Sequence, residues 1–233
     1  MNIAKKKKAR QKKASKQKAI CPVGESNCEW LDEIARLRAQ VDELSELVAT
    51  DTLTGLFNLR HFKQAMQAEM DRSKRSSIPT SLVMAEVDHF EAINDEHGRE
   101  AGNQVLKRLA DICRGEVRTT DLVCRYGGEV FAIVFPETHL NLAVKVADRI
   151  RQEIADTPVE LDNGEVKVTV SMGASVYVKT SVIDVVEFVD SVDKFLFEAK
   201  QSGRNCICHI DYSELRSVTE IGAPERILRI ARD

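Results

Sequence analysis

Between residues 51 and 210, short apolar runs rich in β-branched residues alternate with longer stretches of helical periodicity, and this alternation constrains the fold more than any other feature. Residues 81–87 have the composition of a buried strand, and residues 58–75 have an apolar face at helical spacing. Alternating strands and helices bury their apolar faces when helices cover a sheet. The pattern therefore predicts an α/β or α+β domain over residues 51–210.

The other elements of this domain follow from the same periodicities. Gly127 and Gly128 join two apolar runs, and such a connection predicts a β-hairpin, because a type I′ turn needs a positive φ at both central residues. Residues 162–164 predict a second turn, and residues 224–232 are weakly helical without an assigned role. We predict helices at 105–117, 140–154 and 183–201 and strands at 122–126, 129–135, 159–161, 166–177 and 205–210.

The two ends of the chain differ from this domain in composition. Residues 1–28 form a polar arm for which we predict little order, and the first 18 carry nine Lys or Arg and no acid. Such an arm could contact nucleic acid or anionic lipid, but a solvated tail is favoured because no aromatic residue is interleaved with the lysines. Residues 211–233 form a separate C-terminal tail.

Residues 29–50 carry a heptad pattern that predicts a coiled-coil helix, the stalk. Its a positions are β-branched and, after the first, its d positions are leucine, which favours a parallel two-stranded coil and hence a homodimer through residues 29–50. The alternative is a single amphipathic helix that packs on its own domain. The a positions are Ile34, Val41 and Val48, and the d positions are Trp30, Leu37 and Leu44.

Composition excludes several classes of protein. The 233 residues are 43% hydrophobic and 30% charged, and no apolar run approaches the roughly 20 residues of a membrane-spanning helix. The basic N-terminus lacks the apolar stretch of a secretory signal, so we expect a cytoplasmic protein without a transmembrane segment. The six cysteines have no zinc-site spacing, and we expect reduced thiols, with Cys206 and Cys208 on one face of a strand.

Two acidic residues, Glu86 and Glu129, stand at strand ends, where ligands meet a sheet. If they converge, their carboxylate oxygens could hold a hard divalent cation such as Mg²⁺. Lys200 and Arg204 flank a Ser-Gly turn and could pair with phosphates. These residues together indicate phosphoryl transfer from a nucleotide, although turn glycines and surface charges are also common in purely structural roles.

The chain resembles the GGDEF-domain diguanylate cyclases in six blocks that occur in the same order. The resemblance implies a nucleotidyl-cyclase-like central sheet flanked by helices. It also implies an enzyme that condenses two GTP molecules into cyclic di-GMP and pyrophosphate, with Mg²⁺, or else Mn²⁺, as cofactor. The blocks are residues 51–58 (DTLTGLFN), 86–95 (EVDHFEAIND) with Gly98, 118–121 (RTTD), 125–131 (RYGGEVF), 168–173 (VTVSMG) and 199–205 (AKQSGRN).

The resemblance also implies roles for individual residues. Glu129 would be catalytic and, with Glu86 and the carbonyl group of Val87, would bind the metal. Cyclic di-GMP would inhibit the enzyme by binding at an Arg-x-x-Asp site made of Arg118 and Asp121. The residues that would bind GTP, with the two asparagines at the guanine, are Phe90, Asn94, Asn103, Gly127, Gly128, Lys200 and Arg204.

The sequence departs from the family pattern at four positions. Val130 stands where a Glu is usual, Glu86 and Asn103 where an Asp is usual, and Glu91 where a Lys is usual. Strand alternation would place residues 129 and 130 on opposite faces, so Val130 need not disturb the metal site.

These departures leave other functions open. The alternative function is a degenerate GGDEF domain that binds GTP or cyclic di-GMP as a sensor or scaffold, and a weaker one is a nucleic-acid adaptor that uses the basic arm. Because no sensor domain is recognisable in the sequence, we expect a separate regulatory protein to bind the stalk or the arm.

Overall fold

The computed structural model describes residues 33–34, 36–38, 40–41, 49–161, 164–210 and 228–231, and the chain divides into two units at residue 48. The described residues of the first unit are helical. Three of them belong to the predicted heptad seam and are exposed: Ile34 at 38%, Leu37 at 48% and Val41 at 60%. The other heptad positions, the basic arm, Cys21 and Cys28 lie outside the described residues.

The second unit begins at Ala49 and alternates strands with helices. Its helices are α1 (Leu59–Ser76), α2 (Phe90–His97), α3 (Arg99–Glu116), α4 (Leu140–Asp156) and α5 (Val185–Gln201). Its strands are β1 (Phe57–Asn58), β2 (Thr80–Val87), β3 (Leu122–Gly127), β4 (Val130–Phe135), β5 (Val159–Leu161), β6 (Gly164–Val166), β7 (Val170–Tyr177), β8 (Ile207–Ile210) and β9 (Leu228–Ala231).

Seven of these strands form one mixed sheet in the order β1-β3-β4-β2-β7-β8-β9. The β1–β3 and β7–β8 pairs are parallel, and the other neighbours are antiparallel. Helices α1 and α5 pack on one face of the sheet, and α3 and α4 pack on the other, so the central strands are buried on both faces. This arrangement confirms the predicted class, a central sheet flanked by helices.

Local sequence signals explain where the best-predicted helices begin. At α1, the side chain of Asn58 accepts a hydrogen bond from the N–H of His61 at 3.0 Å, which satisfies one of the free donors of the first turn. At α5, Asp184 and Glu187 form a reciprocal capping box. Both helices begin within two residues of the predicted positions.

The structure corrects the predicted secondary structure at several places. Helix α2 was not predicted, and α3 begins at Arg99, directly after Gly98, rather than at residue 105. The strand predicted at 166–177 is two strands, because β6 pairs only with β5 in a separate hairpin. Residues 228–231 form a strand rather than a helix: pairing with the edge of β8 outweighs a weak local preference.

Two other expectations concern the thiols and the membrane. The four described cysteines are buried and outside disulfide bonds. Cys206 directly precedes β8 and Cys208 lies in it, and both belong to one small buried cluster, which agrees with the predicted common face. Among the described residues, no helix combines the length and the apolar character that crossing a bilayer requires.

Candidate active site

The predicted hairpin forms, but its turn lies one residue later than expected. Strand β3 continues through Gly127 and β4 begins at Val130, so Gly128 and Glu129 form the connection. The cause is an irregularity in pairing between Arg125 and Gly127. Gly128 has a φ of 59°, whereas Glu129 has no positive φ, so the predicted type I′ turn centred on two glycines is wrong.

This turn holds Glu129 against the end of β2. The N–H of Val87 donates to the carbonyl oxygen of Glu129 at 3.3 Å, and Glu86 precedes Val87 in the strand. From the last turn of α5, the Nζ atom of Lys200 lies 2.6 Å from Oε2 of Glu86. Three segments that are distant in sequence therefore bring two carboxylates and one ammonium group together.

The negative charge at this place is only partly compensated. Burial raises the pKa of the Glu86 carboxyl above its ordinary value, the ion pair with Lys200 opposes the shift, and the charges of Glu129 and Asp193 add to it. A bound cation would relieve the repulsion among these carboxylates.

The donor atoms fit a hard divalent cation. Glu86 and Glu129 supply carboxylate oxygens, which Mg²⁺ and Mn²⁺ prefer, and Val87 supplies a backbone carbonyl at the same strand end. Among the described residues no cluster of three or more His, Cys, Asp or Glu side chains forms a metal site. The remaining ligands of an octahedral ion would therefore have to come from backbone, nucleotide or water oxygens.

Sequence reasoning missed Asp193, a third acid at this place. Its charge raises the pKa of Glu86 and, after the larger effect of burial, also that of the Tyr126 hydroxyl. Asp193 lies on α5 seven residues before Lys200, and residues seven apart share one face of a helix. That spacing is the signal by which the sequence could have indicated it.

Three of the predicted GTP-binding residues lie where α2 meets α3. Phe90 and Asn94 are on α2, and they approach α3 at Gly102: a Cβ added there would lie 2.0 Å from Oδ1 of Asn94 and 3.1 Å from Cζ of Phe90. On α3, the amide of Asn103 donates to Glu100 at 3.1 Å. Phe90 and Asn94 thus lie together against α3 at Gly102, which was not predicted and which makes their position sterically allowed.

Lys200 and Arg204 flank the turn between α5 and β8, as predicted. Residues 202–205, which we call the phosphate turn, have an unusual backbone: Gly203, Arg204 and Asn205 have φ values of 108°, 63° and 45°. The Arg204 side chain is exposed and can meet a ligand, whereas Lys200 is largely buried in its ion pair with Glu86.

The predicted inhibition site lies at the other end of β3. Arg118 and Asp121 precede this six-residue strand and Glu129 follows it, which separates them by roughly 20 Å. The carboxylate of Asp121 accepts a hydrogen bond from the N–H of Arg118 at 3.0 Å. Both residues line a groove of about 390 Å³ that Leu56 and Arg114 also border.

Val130, the main departure in the signature, is part of the core. It is 6% exposed and belongs to the cluster that contains Phe62 and Met66 of α1. The prediction that residues 129 and 130 point to opposite faces of a strand does not apply, because Glu129 lies in the turn and β4 begins at Val130. Val130 is instead the direct cross-strand partner of Glu86, and such partners share a face, so its apolar side chain flanks the Glu86 carboxylate.

Comparison with known proteins decides the family. Residues 48–206 match the family model described as diguanylate cyclase, GGDEF domain. The chain belongs to this family. The GGDEF family assignment made from the six blocks is thereby confirmed, and diguanylate cyclases with GGDEF domains generally depend on a divalent metal.

Individual relatives agree with this GGDEF assignment. The chain is 35% identical to response regulator PleD of Caulobacter vibrioides over 174 residues, which cover 73% of the chain and 38% of PleD. It is 32% identical to diguanylate cyclase A of Treponema denticola over 181 residues, 76% of the chain and 48% of that protein. The chain thus spans less than half of these curated relatives.

A solved structure gives the same result. Diguanylate cyclase SiaD of Pseudomonas aeruginosa, determined in complex with its activator SiaC, is similar with a TM-score of 0.67 and 28% identity. The match covers 88% of this chain and 74% of SiaD.

Proposed function

We propose that this GGDEF domain is an active diguanylate cyclase, which condenses two GTP molecules into cyclic di-GMP and two pyrophosphates. The observation that carries the proposal is the convergence of Glu86, Glu129 and Lys200 beside the exposed Gly128. The carboxylates suit a divalent cation, and the ammonium group suits a phosphate. Because Gly128 has no Cβ, phosphate oxygens can approach its backbone closely.

The proposed reaction is an in-line displacement that occurs twice. The 3′-hydroxyl oxygen of one GTP attacks the α-phosphorus of the other, the bond from that phosphorus to the β-bridging oxygen breaks, and pyrophosphate leaves with the electron pair. Glu129 is our candidate to accept the hydroxyl proton. Lys200 and Arg204 hold the distal phosphates, and Asn94 orients the guanine.

A divalent cation is part of the proposal. Glu86, Glu129 and the carbonyl of Val87 would hold it, and when bound it would neutralise phosphate charge. Chelation of divalent ions with EDTA should abolish product formation, and Mg²⁺ or Mn²⁺ should restore it. Formation of cyclic di-GMP at an unchanged rate in EDTA would contradict this part of the proposal.

The reaction needs two domains, because each would hold one GTP. The exposed seam of Ile34, Leu37 and Val41 supports a homodimer through residues 29–50, since a paired helix would bury these side chains. A short tether brings two domains to an effective concentration in the mM range. Sedimentation should show a dimer of the full chain and a monomer of a chain that starts at Asp51. A stable dimer of the shortened chain would show that the stalk is dispensable.

Product analysis tests the activity directly. The purified protein is incubated with GTP and Mg²⁺, and the nucleotides are separated by chromatography. We expect cyclic di-GMP and pyrophosphate from the wild type, none from Glu129→Ala, and wild-type amounts from the control Glu160→Ala, which removes an exposed glutamate of β5. The absence of cyclic di-GMP from the wild type, with and without candidate activators, would reject the proposal.

One observation favours a second candidate, a GGDEF domain that binds nucleotide without turnover. Val130 puts an apolar side chain beside Glu86, where the family pattern has a carboxylate. Wild-type protein that binds GTP or cyclic di-GMP but forms no product would support this sensor or scaffold function.

We also propose that the product inhibits the enzyme at Arg118 and Asp121, beside the groove described above. The guanidinium of Arg118 could grip a phosphate or a guanine edge in two places. Arg118→Ala should raise the cyclic di-GMP concentration needed for half inhibition, whereas Arg75→Ala, at an exposed end of α1, should leave it unchanged. An unchanged inhibition curve for Arg118→Ala would reject this site.

A protein regulator of the stalk or the basic arm is the last part of the proposal. SiaD was determined in complex with an activator, which supports regulation of such an enzyme by a separate protein. Residues 1–50 used as bait should recover a specific partner. Failure to recover one, with a chain that starts at Asp51 as the control bait, would count against it.

A further inference from the structure

The phosphate turn holds a backbone conformation that its own residues do not favour. Gly203 takes a positive φ easily, but Arg204 and Asn205 follow it with φ values of 63° and 45°. Asparagine tolerates the left-handed region and arginine rarely adopts it. Three successive residues in this region persist only when the surrounding structure holds them there.

Asp88 holds this turn from the end of β2. Its Oδ2 atom accepts the backbone N–H of Asn205 at 3.1 Å and the hydroxyl of Thr169 at 2.7 Å. Its Oδ1 atom accepts the hydroxyl of Ser171, also at 2.7 Å. Asp88 is buried, and a buried carboxylate is retained at low cost when its oxygens accept several hydrogen bonds. The aspartate therefore fixes Asn205 to the strand end that carries Glu86.

Arg151 holds the same residue from another direction. This arginine of α4 is only 8% exposed, and its Nη1 atom donates to the backbone carbonyl of Asn205 at 3.2 Å and to its side-chain Oδ1 at 2.9 Å. Asp148 orients the guanidinium by accepting from Nε at 2.8 Å. Asn205 is therefore held through its N–H, its carbonyl and its side chain at once.

Asn205, which Asp88 and Arg151 hold in place, directly follows Arg204 and lies five positions after Lys200. A displacement of Asn205 would alter the left-handed turn, and with it the direction in which Arg204 leaves the backbone. We infer that Arg151 and Asp88 are positioning residues of the phosphate turn, which act through Asn205 and set the affinity for the distal phosphates of the nucleotide. The inference rests on the proposed function, because it takes Lys200 and Arg204 as the phosphate ligands.

The test compares two nucleotides that differ in their distal phosphates. Full-length protein is titrated calorimetrically, in Mg²⁺, with 3′-deoxy-GTP, which lacks the attacking hydroxyl, and with GMP. Arg151→Met removes the donors but keeps an apolar stem. We expect it to weaken 3′-deoxy-GTP binding about five- to tenfold, the size of a lost charge-assisted hydrogen bond, and GMP binding less than about twofold.

Further variants separate positioning from a general effect on folding. Arg151→Lys keeps the charge and one donor and should recover part of the affinity. Asn205→Asp keeps the Oδ1 acceptor and should bind normally, whereas Asn205→Gly keeps the left-handed backbone without the acceptor and should resemble Arg151→Met. Lys145→Met, an exposed position on α4, is the control. The double variant Arg151→Met/Asn205→Gly should bind no more weakly than Arg151→Met, because the hydrogen bond that Asn205→Gly removes is one of the two that Arg151→Met already removes.

Each outcome decides between the two proposals. An equal loss of affinity for both nucleotides, or no loss for 3′-deoxy-GTP in Arg151→Met and Asn205→Gly, would overturn the positioning role. If Arg151→Met fails to fold, Asn205→Gly still decides. If the variants show the expected changes in affinity but the wild type makes no cyclic di-GMP, the proposed cyclase activity is rejected and this inference stands. Wild-type protein that binds neither nucleotide would overturn both.

Discussion

Arg125 and Asp51 join the beginning of the GGDEF domain to the turn that carries Glu129. The Nη1 atom of Arg125 lies 3.1 Å and 3.2 Å from the two carboxylate oxygens of Asp51, and its Nε donates to the carbonyl of Gly128 at 2.9 Å. Asp51 also accepts the N–H and the hydroxyl of Thr54. One guanidinium therefore connects the first residues after the stalk region to the candidate catalytic turn.

Replacement of Asp51 tests this connection. Asp51→Asn keeps an acceptor for Thr54 but loses the charge that faces Arg125, so we expect a loss of about 1–2 kcal/mol in the free energy of unfolding. Asp111→Asn is the matched control, because its pair with Arg114 is exposed and should be worth less than about 0.5 kcal/mol. Urea denaturation measures both. Equal effects of the two substitutions would show that the Arg125 contact adds nothing.

The contribution of Asp51 should depend on pH. Burial alone would raise the pKa of this carboxyl, but the hydrogen bonds from Thr54 and Arg125 outweigh burial and lower it. In the unfolded chain this carboxyl has a pKa of about 3.9, so it takes up a proton at a higher pH than it does in the folded protein. The stabilisation is therefore complete above the unfolded-state pKa and is lost as the pH falls through the lower pKa of the folded state. The stability difference between wild type and Asp51→Asn should therefore shrink below about pH 4. A difference that is constant from pH 7 to pH 3 would contradict the lowered pKa.

Restoring the family's usual glutamate at residue 130 should harm this protein. Val130→Glu would place a carboxylate in the cluster around Phe62 and beside Glu86, at a cost of about 2–4 kcal/mol at neutral pH. Val186→Glu makes the same change at an exposed position of α5 and should change stability by less than about 0.5 kcal/mol. Thermal and urea unfolding compare the two. If Val130→Glu unfolds at the same temperature and urea concentration as the wild type, the cluster around Phe62 accommodates a carboxylate without cost.

A methyl group at Gly102 should weaken nucleotide binding. Its Cβ would overlap Oδ1 of Asn94, so Gly102→Ala must displace the predicted guanine contact, and we expect at least about tenfold weaker GTP affinity. Gly115→Ala, on the same helix with nothing near its added Cβ, should bind normally and gain up to about 1 kcal/mol of stability. Titration with 3′-deoxy-GTP measures the affinities. Normal binding by Gly102→Ala would remove Asn94 from the candidate site.

Much of the fold could be predicted because it is encoded locally. Helices α1 and α5 follow from periodicity and from caps at Asn58 and Asp184, which depend on residues three positions apart. Strand β5 was predicted at its observed bounds, but the separation of β6 from β7 and the strand β9 could not be predicted in the same way. Their states depend on which edge they pair with, and a weak local preference yields to such pairing.

The sequence by itself determined most of the elements, the apolar faces of α1 and α5 and the family, because these depend on residue type, spacing and order along the chain. It placed Glu86, Glu129 and Lys200 at element ends but could not state their distances. Only the tertiary structure decided that Glu86 pairs with Lys200, that Val130 flanks Glu86 in the core, and that the hairpin turn falls at Gly128. These features depend on strand register and helix packing, which are set by the whole sheet at once.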